Sequence, residues 1–208
     1  MVELTKGSAE YNKVEKEFRD NLKEGDAMYW RKEAAAKLGG QRNHAAYISD
    51  EIKADSQNFT LRSVTRVQNK KEWLQHMLEE EKDSHTYTVY HGTDPRSVDG
   101  ILKGGFSKYR TQTAAYGKGV YFDPFGAVSM HHAIQNKHGN KCAIIVCRLV
   151  YKKIGSTSNS DTGPPPGFDC GACCRVDEKF PKPCIIVSFR DAQVLPEYII
   201  EFQWNGRA

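Results

Sequence analysis

"TYTVYHGTD", residues 86–94, sets the fold class and poses the functional question. Tyr87 and Val89 alternate with Thr86 and Thr88. β-Branched and aromatic residues suit a pleated surface, so the stretch is a strand. It runs into His91-Gly92-Thr93, which reads as a turn. A glycine there either makes a plain turn or lets something dock against a peptide plane. Taken alone, the tripeptide is better read as the plain turn.

Working outward, strands dominate the C-terminal two thirds. "NFTLRSVTRVQN" (58–69) is strand-like, and "VYFDPF" (120–125) is a short strand broken by Pro124. "CAIIVCRLVY" (142–151) is almost continuously apolar and belongs in the middle of a sheet. "CIIVSF" (184–189) and "EYIIEFQW" (197–204) add two more. Helices are fewer. Tyr11, Val14, Phe18 and Leu22 recur at helical spacing over 11–23. "DAMYWRKEAAAKLGG" (26–40) is a second helix stopped by a glycine pair, and "KKEWLQHMLEEEKD" (70–83) is a third with a solvated charged face. "SVDGILKGGF" (97–106) predicts a short helix. "GAVSMHHAIQNKHGN" (126–140) predicts one stopped by Gly139, with Ala127, Met130 and Ile134 turned inward. Residues 155–183, rich in Gly, Ser and Pro, read as irregular. Many strands with few helices make the class α+β.

Composition narrows the function classes. A chain of 208 residues suits one large domain or a domain with an appendage. Hydrophobic residues at 39% support a real core, which excludes wholesale disorder. The net charge of +4 permits an anionic ligand but falls short of a dedicated nucleic-acid binder. No apolar run reaches membrane-spanning length. The charged opening, "MVELTKGSAEYNKVEKEF", does not suit a secretory leader. The six cysteines are therefore expected to be reduced, in the cytoplasm or nucleus.

A second informative stretch is "AYGKGVYFDPFGAVSMHH" (115–132). Gly117 and Gly119 flank Lys118, but a strand follows where a phosphate loop would open a helix, so a nucleotide P-loop is not expected. Ser129 and His132 are three apart on one helix face and can reach one ligand. Together, "YHGT", "GILKGGF", "YGKGVYF", Ser129, the "PPP" loop and "IIVSFRDAQVLPEYIIEF" resemble, in order and spacing, the catalytic domain of the poly(ADP-ribose) polymerase family. The likeness is strongest to its mono-ADP-ribosyltransferase members. It covers about residues 57 to 203, leaving 1–56 as a helical lead-in whose residues 25–56 have no family counterpart, and 57–208 as the catalytic core.

The resemblance implies an ADP-ribosyltransferase fold: two packed, antiparallel-rich sheets with flanking helices and an NAD cleft between them. It implies NAD as substrate, no metal, and transfer of one ADP-ribose to an acceptor, protein side chains first and nucleic acid as the alternative. An inactive NAD or ADP-ribose binder is the other reading. It further implies a monomeric catalytic piece of a larger protein, with no membrane contact. By position, His91 corresponds to the residue that bonds the adenosine ribose. Gly92 corresponds to the backbone grip on the nicotinamide carboxamide, with Thr93 beside it. Tyr121 corresponds to the ring that stacks on nicotinamide, next to Phe122, and Ser129 to the hydroxyl on the carboxamide. An aromatic face suits a pyridinium by stacking and cation–π attraction.

Departures from the family pattern matter as much. His132 stands where a second stacking tyrosine is common, and reads as either a weaker stacking partner or a partly exposed helical histidine. Tyr109 and Arg110 fall in the loop that covers NAD in the family. Arg110 is then a pyrophosphate contact or a solvated loop cation. Cys170, Cys173, Cys174 and Cys184 have the count for a zinc site but not paired spacing, and ordinary thiols are expected. Aligning "FRDAQVLPEY" to the family's late-chain pattern puts Ile185 at the position of the polymerases' catalytic glutamate. The expected catalytic set is therefore His91, Tyr121 and Ile185. Isoleucine cannot serve as a general base, so chain elongation is not expected.

Overall fold

The computed structural model describes residues 1–29, 58–79, 84–107, 115–173, 183 and 185–206. Its centre is β5 (Lys141–Tyr151), which lies between β3 (His85–Thr93) and β9 (Val194–Trp204) and runs antiparallel to both. With β1 (Val2–Glu3) and β2 (Phe59–Arg66) these form a five-stranded sheet in the order β1-β2-β9-β5-β3.

Alternate residues of β5 enter two different cores. Cys142, Ile144 and Val146 join Phe18, Tyr90, Met130 and Ile200 on one face. Ile145, Cys147 and Leu149 join Val89, Phe122 and Ile186 on the other. Both faces are covered, so the strand shows no polar–apolar alternation, and from Cys142 to Val150 its sequence is an apolar run broken only by Arg148.

The first core is closed by two helices. Helix α1 (Ala9–Tyr29) lays Tyr11, Val14, Phe18 and Leu22 on the sheet, all nearly inaccessible to solvent. Burying one such side chain contributes about 1.5–3 kcal/mol. Helix α4 (Ala127–Gln135) adds Ala127, Met130, Ala133 and Ile134, so the expected inward face is the observed one. The second core lies between the large sheet and a four-stranded one. In spatial order its strands are β4 (Val120–Phe122), β8 (Ile186–Ser188), β7 (Cys170–Ala172) and β6 (Ile154–Ser156). The α+β class with two sheets and few helices is thus observed. One pair, β6 with β7, is parallel.

The sheets are stitched at one point. Tyr90 on β3 and Asp123 just past β4 exchange both backbone hydrogen bonds, at 2.8 and 3.0 Å. Beyond that stitch the two sheets leave an opening.

Several expectations need correction. His91-Gly92-Thr93 is no turn: the three residues are the last rungs of β3, paired with Ile145, Ile144 and Ala143. The long apolar edge of β5 carries the ladder through them. Helix α4 ends at Gln135 with Asn136 as its cap, and Gly139 (φ 60°) belongs to the turn beyond. The stretch 155–183 is not wholly irregular, because β6 and β7 lie at or within its margins. Both were hidden by being only three residues long. Helix α2 (Lys70–Glu79) forms, but its Trp73 and Met77 face solvent while His76 is buried. The short helix expected at 97–106 is α3 (Val98–Gly104), which buries Val98 and Leu102. The helix expected at 26–40 begins within α1 and otherwise lies outside the described residues.

Candidate active site

The opening between the sheets is a cleft of about 380 Å³. Into it converge the end of β3, strand β4, helix α4 and the residue ahead of β8. His91, Gly92, Thr93, Tyr121, Phe122, Ser129, His132 and Ile185 all line it. Arg110 and Tyr109 lie outside the described residues.

The stitch explains what Gly92 offers. Tyr90 spends its N–H and C=O on Asp123, away from β5. Along a strand, residues two apart present their backbone groups to the same edge. Gly92 therefore turns its N–H and C=O away from β5 and toward the cleft, one donor beside one acceptor. A carboxamide carries the complementary acceptor and donor. The absent side chain has a separate cause. Gly92 has no positive φ, but a Cβ on it would lie 1.8 Å from the Ser129 carbonyl oxygen. The glycine lets α4 pack directly on β3. A Gly92→Val substitution would therefore disturb the fold as well as the cleft, because the added side chain points into the helix.

His91 is fixed from three sides. Its Nδ1 donates to the Tyr121 carbonyl at 2.9 Å, since a carbonyl can only accept. In the neutral ring Nε2 is then an acceptor. Phe106 meets the imidazole edge-on at 5.1 Å between centroids, and Phe122 lies at 5.6 Å. Burial lowers the pKa, the Tyr121 hydrogen bond opposes that, and nearby His132 lowers it further. His91 is neutral at pH 7.

Tyr121 is half-buried and held at its far end. Its hydroxyl accepts from the Tyr116 N–H and donates to the Gly117 carbonyl, both at 2.8 Å. The ring's plane is set before any ligand arrives. Ile185, 6% exposed, packs beside it with Val187, Cys173 and Phe189. Of the carboxylates that line the cleft, Asp94 pairs with Arg96 and Asp123 bonds the backbone of α4. Ser129 is buried, and its Oγ donates to the Tyr90 carbonyl at 2.7 Å, leaving the oxygen's lone pairs as its remaining capacity. His132 is exposed along the cleft, with a pKa lowered by partial burial and by His131. Phe122 is nearly inaccessible and serves as the floor beneath His91.

Sequence reasoning missed Asp123. Its carboxylate accepts from the N–H groups of Phe125 (2.7 Å), Val128 (2.7 Å) and Ser129 (3.3 Å), which seats the N-terminus of α4. Burial pushes its carboxyl up to about 6, while those N–H bonds pull it down. Asp123 stands three residues ahead of Gly126, the cap residue of α4, so the usual capping position does not point to it. Phe106 was missed too; it sits in the quoted "GILKGGF", but nothing local in that motif points to a histidine.

The four-cysteine question is only partly visible. Cys170 and Cys173 are buried, and burial pushes the Cys170 thiol up to about 12, so it remains protonated at neutral pH. Cys174 and Cys184 lie outside the described residues. Among the described residues no three His, Cys, Asp or Glu side chains cluster as metal ligands.

Comparison with known proteins agrees with the geometry. Residues 42–162, more than half the chain, match the model of the poly(ADP-ribose) polymerase catalytic domain. Over 169 residues the chain is 25% identical to the human "Protein mono-ADP-ribosyltransferase PARP14", covering 75% of this chain. It spans only 9% of that relative's length. The chain therefore belongs to the poly(ADP-ribose) polymerase catalytic-domain family, and within it stands beside the mono-ADP-ribosyltransferase branch.

Proposed function

We propose that this domain transfers a single ADP-ribose from NAD to an acceptor and releases nicotinamide. The observation that carries the reading is the meeting of His91, Tyr121 and Ile185 in one cleft beside the open backbone edge of Gly92. The Gly92 N–H and C=O and the Ser129 hydroxyl hold the carboxamide, and Tyr121 supports the ring. The acceptor nitrogen of His91 takes a ribose hydroxyl proton in a hydrogen bond. The C1′–N bond then breaks, its electron pair leaving on the pyridinium nitrogen to give neutral nicotinamide. The oxocarbenium-like ribose is attacked by a nucleophile of the acceptor, which loses its proton to the acceptor or to water. Positioning and electrostatics supply most of the rate.

Ile185 limits the outcome. A second transfer onto ADP-ribose needs a base for a ribose hydroxyl, and a buried isoleucine has none. Protein side chains that bring their own carboxylate or other nucleophile are the favoured acceptors. This reading takes NAD as substrate without a metal, in a domain that acts as part of a longer protein in a reducing compartment. The test is incubation with NAD labelled in its adenine ring, with nicotinamide and labelled acceptor measured together. Single units in step with nicotinamide are expected. Polymer would overturn the single-transfer reading, and labelled NAD that binds without nicotinamide release would overturn transfer itself.

A further inference from the structure

A second concavity, of about 420 Å³, lies at the opposite end of the sheets. In the β3–β5 register, His91 faces Ile145 in the active cleft, whereas His85 faces Tyr151 at this second site. Six strand residues separate them, about 20 Å. The two hollows have no lining residue in common.

Two kinds of side chain meet there. Phe168 is 42% exposed, an unusual state for a phenylalanine in this chain. It is not a loose side chain. A Cβ on Gly155 would lie 2.8 to 3.0 Å from Cγ, Cδ1 and Cδ2 of the ring, three nearly equal distances. The ring therefore lies flat on the Gly155 backbone with its accessible surface turned outward. Tyr151 lines the same hollow, its ring tilted against Tyr87 at 4.9 Å and against His85 at 5.5 Å. The second kind is cationic: Lys152, Lys153 and Arg190 line the hollow, all three exposed. Asp169 also lines it. Both its oxygens accept backbone N–H bonds, from Lys152 and Lys153 at 2.7 Å each, which fixes the turn that presents the lysines. Among the described lining residues, three cations stand beside one carboxylate.

We propose that this concavity binds a segment of single-stranded nucleic acid, one base stacked on Phe168 and the flanking phosphates on Lys152, Lys153 and Arg190. A flat aromatic ring beside cations is the arrangement that holds single strands, because every base has a π-face and every linkage a charge. An acidic peptide would use the cations and leave the ring idle. The volume falls within the roughly 300–1,000 Å³ of small-ligand sites and suits a nucleotide unit with its neighbours extending outside. The site is independent of the proposed transfer activity.

The test is fluorescence anisotropy on the whole chain with a labelled single-stranded RNA of about 12 nucleotides, within the usual span of one single-strand site. Polyglutamate of equal charge and AMP serve as comparison probes. Phe168→Ala is expected to weaken RNA binding about tenfold, with Phe168→Trp restoring it. Lys152→Ala with Lys153→Ala is expected to weaken binding. It should also flatten the slope of log affinity against log salt by about 0.7 for each phosphate no longer neutralised. Nicotinamide release per folded molecule should stay unchanged, since none of these residues lines the active cleft. RNA binding that ignores both changes, polyglutamate bound as tightly as RNA, AMP bound as tightly as the strand, or no RNA binding at all would each overturn the proposal.

Discussion

Strands β3 and β5 are paired rung for rung over nine positions, yet they do opposite work. β5 is interior, flanked by β9 and β3 and covered on both faces. From Cys142 to Val150 only Arg148 escapes burial. β3 is the edge of the same sheet, and its last three residues are half-buried. What differs is the second edge. β5 has none to spare, whereas β3 joins Asp123 at Tyr90 and then leaves the backbone of Gly92 facing a cleft. The core strand supplies rigidity, and the edge strand turns that rigidity into a binding surface.

The sharpest way to break this comparison is to put a side chain on Gly92. Gly92→Ala places a methyl 1.8 Å from the Ser129 carbonyl oxygen and 2.9 Å from the Ala133 nitrogen, both backbone atoms of α4. Backbone cannot rotate away as a side chain tip can. We expect a loss above about 3 kcal/mol, at the top of the range for overpacking, and loss of NAD binding, read by urea titration and calorimetry. Gly139→Ala is the control: its Cβ meets nothing within 4 Å, and only its φ of 60° is strained. It should cost about 1 kcal/mol. Equal effects at the two sites would show that α4 does not press on β3.

A second contrast separates stability from transfer. Ile144→Ala on β5 empties a fully buried site and should cost about 2–5 kcal/mol, while the transfer rate per folded molecule changes little. Tyr121→Ala at the half-buried β4 should do the reverse, abolishing nicotinamide release with a smaller drop in melting temperature. Tyr121→Phe should fall between, since it removes only the hydroxyl's bonds to Tyr116 and Gly117. If Tyr121→Ala kept more than about a tenth of the activity, about 1.4 kcal/mol of barrier, the ring would not be the platform for nicotinamide.

These contrasts also show what the sequence could reveal. The apolar run of β5 and the helical stripe of α1 were legible because burial on a face is written as residue type. The convergence of His91, Tyr121, Ser129 and Ile185 was legible through the family resemblance, since these residues are up to 94 positions apart (185 − 91) and no local pattern joins them. The end of β3 was misread. A glycine chosen for a close helix contact looks in sequence like one chosen for a turn. Asp123 was missed for a related reason, because its carboxylate is held by backbone N–H groups, which leave no mark on residue identity.

Asp123 gives the next prediction, on pH. Its folded pKa of about 6 lies above the ordinary 3.8, so its stabilising contribution is full below about pH 4 and is lost as pH rises through 6. Two pKa units correspond to about 3 kcal/mol. His91 runs the other way. Its folded pKa is lowered, so its contribution is present above the ordinary 6.5 and is lost as pH falls below that value. In the natural chain the two slopes oppose one another near pH 5–6. Asp123→Asn removes one of them. The variant should lose stability more steeply than the parent as pH falls from about 6.5 to about 5, in urea melts at each pH. Parallel profiles would place the titration elsewhere.

The smallest effect is expected where sequence offers the most tempting decoy. Glu197 is a late glutamate in "VLPEYIIEF", in a family whose polymerases need one. In the structure it sits on β9, and its carboxylate bonds the Arg148 guanidinium of β5. Its neighbours are Arg66, Trp73 and Tyr198, in a concavity separate from the cleft of His91 and Tyr121. Ile185, by contrast, lines that cleft. The side chains of Glu197 and Arg148 are 25% and 42% exposed, and water screens such a pair to about 0–1 kcal/mol. Glu197→Gln keeps one acceptor for Arg148 and should shift stability by less than about 1 kcal/mol. Nicotinamide release should remain within about twofold, because a free-energy change that small at a site outside the cleft has no route to the reacting atoms. Loss of nearly all transfer at an unchanged melting temperature would mean that Glu197 reaches the ribose in the working enzyme. The division of labour between core strand and edge strand would then fail at its C-terminal end.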